Sequence, residues 1–316
     1  MKIVRFLVLL ISFSSVYALA NDNLINFTQL LSGKITPDNN EALSHFNPWN
    51  TKELEQYNDT IKQYWPHFQQ SFVEPIRYFS MDKLSSLTQG KSLFYPFSGP
   101  DISYPLLLFP EIENYILVGM EFPGNIDITL KTFSLKKFTP QIQEYLERGF
   151  FKTMRMSSQI YYNEGVIPVI VAQIGLIGGV VHDITSTHDP YKGIIIHFSY
   201  QEKSKTLYYY RANLDDINIT NNFMTYILNN KLSDNCMLKA SSYKLHQVDF
   251  KNLRQFMLEN CSTILQDDTG MPLSYLKSKN YNINLFGNYI RSYGDEFTTY
   301  NQQDLAKLYE QQKNVE

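Results

Sequence analysis

The chain has 316 residues, 43% hydrophobic and 15% aromatic, with 28 basic and 31 acidic side chains for a formal charge of −3. That hydrophobic share is enough for a large core. The slightly acidic balance argues against a general nucleic-acid partner or an anionic membrane surface.

Residues 1–20 have the build of a secretory signal peptide, with Lys2 and Arg5 at the start, an apolar run over 6–11 and the small-residue pattern Ala18-Leu19-Ala20 at the end. Ser12, Ser14 and Ser15 interrupt the apolar run too early for a bilayer span, which needs roughly 20 apolar residues. Cleavage after Ala20 is expected, without a membrane span in what remains, and the product would be periplasmic or secreted. Losing Lys2 and Arg5 from the 28 basic residues leaves 26 against 31 acidic ones, a formal charge of −5. The mature segment, 21–316, is expected to be a single α+β domain.

Along that segment, 24–31 reads as a short amphipathic helix and 51–72 as a longer one, with Pro66 marking a kink or boundary. The pattern then changes to short β-branched and aromatic runs bounded by Gly and Pro, at 92–97 and 115–122, which predict strands. Thr139-Pro140 is the expected opening of a helix to about 161. The stretch 166–177 is apolar on nearly all sides; it could be a buried helix or a buried strand, and length favours helix. Three runs at 179–186, 193–200 and 206–214, joined by polar connectors, predict an antiparallel meander. Helical stretches are expected at 221–229, 237–246 and 249–263, the last with Asp249 as N-cap. A strand at 282–289 and a helix at 302–312 complete a fold of α+β class, with a central antiparallel or mixed sheet packed by helices.

Cys236 and Cys261 are the only cysteines. Export would place them in an oxidising space, where they could form a disulfide; two separate buried thiols is the alternative.

No spacing matches a catalytic, metal or nucleotide motif of known mechanism: there is no Cys-x-x-Cys, no His-Glu-x-x-His, no P-loop and no Gly-x-Gly-x-x-Gly after a strand. No metal or cofactor is therefore expected. Two turns stand out instead. Phe97-Ser98-Gly99-Pro100-Asp101 follows an aromatic strand, with Ser98 as a possible nucleophile and Asp101 as a base or ligand. A serine elbow, however, needs glycines where this chain has Pro96 and Pro100. Gln266-Asp267-Asp268-Thr269-Gly270 places adjacent carboxylates before a glycine, which can bind a cation or share a proton, or simply form a solvated turn.

The strings Tyr95 to Asp101, Gly119-Met120-Glu121-Phe122-Pro123-Gly124 and Gln266 to Pro272 resemble a family of exported bacterial proteins with no assigned activity. The resemblance implies that Ser98, Asp101, Glu121, Asp267 and Asp268 share a site. It supplies no mechanism.

A histidine patch is also expected. Counting from the connector at 187–192 brings His182 opposite His197, and counting through 201–205 puts Tyr210 beside His197. Such a row could respond to protons or hold a metal through two ligands, although half-buried sheet histidines held by hydrogen bonds are the commoner outcome. The function expected from all this is a binding or envelope-associated protein with an unknown ligand or envelope component as partner. The alternative is a hydrolase of an envelope or external polymer, using Asp101, Glu121 and Asp267 as acid and base.

Overall fold

The computed structural model describes residues 22–36, 51–86, 90–149, 165–187, 191–219, 221–230, 232–267, 269–271, 275 and 282–285. The leader-like segment 1–20 and the expected C-terminal helix at 302–312 lie outside the described residues. The protein is of α+β class, built on one mixed sheet with helices against both faces.

The described strands are β1 (Ser92–Tyr95), β2 (Asn114–Gly119), β3 (Val180–Thr187), β4 (Gly193–Tyr200), β5 (Lys203–Arg211), β6 (Asn235–Leu238), β7 (Thr263–Gln266) and β8 (Asn282–Leu285), in the spatial order β3-β4-β5-β2-β1-β6-β7-β8. The expected meander is present, with β4 antiparallel to both β3 and β5. From β5 to β8 every neighbour is parallel. Composition follows pairing. Parallel strands covered on both faces read as continuous apolar runs, and β1, β6 and β7 are buried at every position, whereas β4 alternates.

One face of the sheet carries Tyr95, Leu117, Tyr209, Met237 and Leu265 against α1 (22–31), α2 (Thr51–Phe68), α3 (Glu74–Phe79), α4 (Ser103–Leu108), α5 (Ile126–Thr132), α6 (Leu135–Arg148) and α7 (Ile167–Leu176). The other carries Phe94, Val118, Cys236 and Ile264 against α8 (Asn221–Asn229) and α9 (Lys251–Asn260). Every residue of α7 is buried, which is why its sequence has no polar stripe.

Several expectations are corrected. Pro66 sits inside α2, and the helical path continues past it; the wide turn Gln69–Val73 comes just before Pro75, whose missing N–H leaves an ordinary turn incomplete. The helix expected to open at Thr139-Pro140 begins earlier, at Leu135 with Ser134 as N-cap, and ends at Gly149 with a left-handed φ of 78°. The helical stretch expected at 237–246 is shorter and tighter: β6 occupies its start, and a 3₁₀ helix fills Ala240–His246. Asp249 does not cap α9. Asp216 does so from a distance, its carboxylate accepting the N–H groups of Lys251 (3.1 Å) and Asn252 (2.9 Å).

Candidate functional site

The chain leaves β1 for β2 and β5 on one side of the sheet, then returns to β6, β7 and β8 on the other side. The reversal falls between β1 and β6. In open sheets with parallel strands, the crevice over the carboxyl ends at such a reversal is where ligands gather, because the two connections part there. The loops that leave β1, β2, β6 and β7 supply Asp101, Glu121, Lys239 and Asp267 along this edge.

The β1 loop is held in a strained form. Phe97 and Gly99 both adopt left-handed backbone angles (φ 59° and 55°), and for Phe97 this costs about 1–2 kcal/mol. Ser98 turns inward: its hydroxyl accepts the Val118 N–H (3.0 Å) and donates to the carbonyl of Gly99 (3.0 Å). It therefore fastens the β1 loop to β2, and the nucleophile reading of Ser98 is corrected. From the opposite layer, Gln173 of α7 clamps the same loop, with Oε1 accepting the Ser103 N–H (3.1 Å) and Nε2 donating to the Pro100 carbonyl (2.8 Å). Asp101 lies between these two bonds, where its Oδ1 accepts the Ser103 hydroxyl (3.2 Å).

Asp267 continues β7, and its N–H donates to the Leu238 carbonyl (3.2 Å). Its Oδ1 accepts the N–H (2.9 Å) and the hydroxyl of Thr269, so that Asp267 organises the turn into Gly270. The carboxylates of Asp101 and Asp267 both bear through their charge on the phenol of Tyr95. That phenol is held well above its ordinary pKa, first by burial and then by the negative charges of Asp101 and Asp267. β1 and β7 are two strands apart, a separation of roughly 10 Å at the backbone. The two turns singled out in the sequence thus leave the same edge of the sheet, from strands that flank β6. Asp268 lies outside the described residues.

Glu121, on the β2 loop, lies against Gly99 of the β1 loop. Its Oε2 accepts the Tyr209 hydroxyl (3.1 Å) and the Met120 N–H (3.0 Å). Burial, then the Glu121 charge, pushes the Tyr209 hydroxyl well up. Gly119 is required beneath it, since a β-carbon there would come within 2.4 Å of the Glu121 carboxylate and 2.8 Å of Gly99.

Sequence reasoning missed Lys239 and Tyr104. Lys239 follows β6, is only 6% exposed, and holds its Nζ 4.0 Å over the Tyr104 ring centroid. The available signal was a lysine directly behind the apolar run Cys236-Met237-Leu238. It would have required reading that run as a strand.

The histidine row is corrected. β3 runs one residue further than expected, so Thr187 faces Gly193, and a bulge makes His182 the extra residue between Val181 and Asp183. His197 is opposite Asp183 and Thr206. The β4–β5 turn is two residues long, with Gln201 and Glu202 both left-handed, which brings Tyr210 opposite Gly193. His182 contacts Ser199 (2.9 Å), His197 contacts Thr206 (3.2 Å), and the Tyr210 hydroxyl pairs with that of Tyr226 (2.8 Å). Among the described residues, no three His, Cys, Asp or Glu side chains are placed to hold a metal ion. Cys236 and Cys261 are joined in a disulfide, with their Cα atoms 5.8 Å apart.

His246 supports the site from below, its Nε2–H donating to the Gly270 carbonyl (2.6 Å). Burial lowers its pKa; the Gly270 bond works against this, and Arg254 adds to it. The unfolded chain then binds more protons near pH 6 than the folded one. This contribution to stability is complete above the ordinary histidine pKa of 6.5 and is lost as the pH falls through the lowered folded value. Urea midpoints are expected to drop between pH 7.5 and 5.5, and to drop less for His246→Gln. Equal drops in both proteins would refute the assignment.

No family model, curated protein or solved structure matches the chain.

Proposed function

We propose that the chain is an exported protein that binds a small polar ligand in the crevice over the carboxyl ends of β1 and β6. What supports this reading is the reversal of strand order between β1 and β6, with Asp101 and Asp267 on the segments that leave β1 and β7 along that same edge. The Cys236–Cys261 disulfide supports an oxidising compartment, periplasmic or secreted. The leader-like start and the strings resembling exported bacterial proteins agree with it. No helix among the described residues is long and apolar enough to cross a membrane.

Protein recovered from the periplasm or medium, with its N terminus near Asn21, is the material for the test. A thermal-shift panel of glycans, amino acids, peptides and divalent ions is expected to contain one class that raises the melting temperature. At a hundredfold excess over Kd, a single site adds about 2.7 kcal/mol, or roughly 5 °C or more. Asp101→Asn should weaken that response at least tenfold without unfolding the protein. A panel with no response, or a response indifferent to Asp101→Asn, would refute the reading.

A carboxylate-dependent hydrolase is the second reading, favoured by the placement of Asp101 and Asp267 along one edge of the sheet, because a pair of carboxyl groups can divide acid and base roles. Release of product from chromogenic glycosides or esters, abolished by Asp101→Asn, would move the assignment to it.

A further inference from the structure

One stripe of α9, Lys251, Arg254, Gln255, Leu258 and Glu259, forms with Tyr275 a cavity of about 400 Å³ that opens to solvent. Spacings of three and four residues put these five side chains on one side of the helix, while Leu253, Phe256 and Met257 turn to the core. A volume of that order lies within the range of small-molecule sites, about 300–1,000 Å³. The lining is chiefly apolar, with a few charged groups set into it, and none of the residues of the crevice takes part.

Arg254 gives the cavity its chemistry. It is 6% exposed, yet it forms no ion pair with any described residue. Its Nη1 donates to the carbonyls of Leu245 (2.7 Å) and Gln247 (2.5 Å), which ties the 3₁₀ helix to α9 and uses up that nitrogen. Its Nε and Nη2 donate to no described residue, and its Cζ lies 5.0 Å from the Tyr275 ring centroid. Neutral carbonyls hold the side chain without neutralising its charge, and a buried charge is ordinarily paired. The edge formed by Nε and Nη2 presents two parallel N–H groups, the spacing that a carboxylate matches with both oxygens. Lys251, exposed on the same stripe, adds a second positive charge, and Glu259, whose Oε1 accepts the Gln255 amide (2.8 Å), supplies one negative charge. Two positive groups less one negative leave the lining at +1, which a monoanion balances and a phosphate dianion exceeds.

We propose that this cavity binds a small monocarboxylate with an apolar body, its carboxylate on the Nε–Nη2 edge of Arg254 and its body against Leu258 and the Tyr275 ring. The site is separate from the crevice over β1 and β6 and stands or falls independently of it. Arg254 selects for the planar carboxylate, Lys251 attracts the anion, and Glu259 disfavours a second negative charge.

The test is calorimetric titration of the purified protein with benzoate, phenylacetate and hexanoate, each compared with its primary amide, and with acetate and inorganic phosphate. At least one of the three carboxylates is expected to bind tenfold or more tightly than its amide, than acetate and than phosphate. Lys251→Glu, at an exposed position, turns the lining from +1 to −1 and should weaken that carboxylate at least tenfold while leaving the amide unchanged. Arg254→Lys keeps the charge, loses the planar fork and should weaken it at least tenfold as well. Asp101→Asn should leave its affinity unchanged. An amide or phosphate that binds as tightly as the carboxylates overturns the proposal, as does unchanged affinity in either cavity variant or the absence of binding by all three carboxylates. Loss of binding in Asp101→Asn would place the carboxylate in the crevice and overturn the assignment to α9. The comparison of carboxylate with amide uses unaltered protein, so it decides the question even where Arg254→Lys does not fold.

Discussion

Replacing Gln173 with leucine is expected to destabilise the protein by about 2–4 kcal/mol and to loosen the candidate site with it. Gln173 is 1% exposed, and its amide is the shared partner of the Ser103 N–H and the Pro100 carbonyl. Leucine matches its size but offers neither partner. One buried donor and one buried acceptor would be stranded, each at about 1–3 kcal/mol. The loop concerned already bears the left-handed Phe97, so losing the clamp frees it to relax and carries Asp101 out of place. The checks are a urea midpoint and the affinity for whichever ligand the panel identifies. An unchanged midpoint in Gln173→Leu would show that the clamp is dispensable.

Converting both Cys236 and Cys261 to alanine should cost about 3 kcal/mol, since the bridge closes a loop spanning a sequence separation of 25 residues. The loop contains the 3₁₀ helix Ala240–His246 and α9, and its ends are Cys236 in β6 and Cys261, which directly follows α9. The bridge thus restricts the unfolded chain over the segment that sets Lys239 beside Asp267. Alanine is the better replacement, because the two cysteines are 0% and 3% exposed and a serine hydroxyl would add an unpaired polar group. Unfolding is to be followed with and without a thiol reductant. Wild type should move to the midpoint of the double variant on reduction, and the double variant should not respond. A reductant-insensitive wild type with the same midpoint as the variant would show that the bridge contributes nothing to stability.

Particular elements show what could be read in advance. The meander was legible because β4 faces a core on one side only, so alternation survives in Gly193–Tyr200 and polar turns bracket it. α7 was legible because a run of ten residues with Gln173 as its one polar side chain is too long for a typical strand. β6 and β7 were not: four residues buried on both faces show no alternation, and Cys236-Met237-Leu238 fits a helix face equally well. The histidine row failed for a related reason, since one bulge and a two-residue turn shift the register without leaving a mark in composition.

The candidate site divides along the same line. The sequence by itself determined the leader-like start, the α+β composition and the two turns that carry Asp101 and Asp267, because glycine, proline and carboxylate clusters act through near neighbours in the chain. The tertiary structure alone decided that these turns leave strands flanking β6, that Ser98 is turned inward, that Glu121 accepts the Tyr209 hydroxyl, that Lys239 lies over Tyr104, and that Gln173 clamps the β1 loop. β1 pairs with β6 across about 140 residues of intervening chain. Such a pairing is selected by the burial of whole faces against helices on both sides, a sum over the entire core that no local pattern carries.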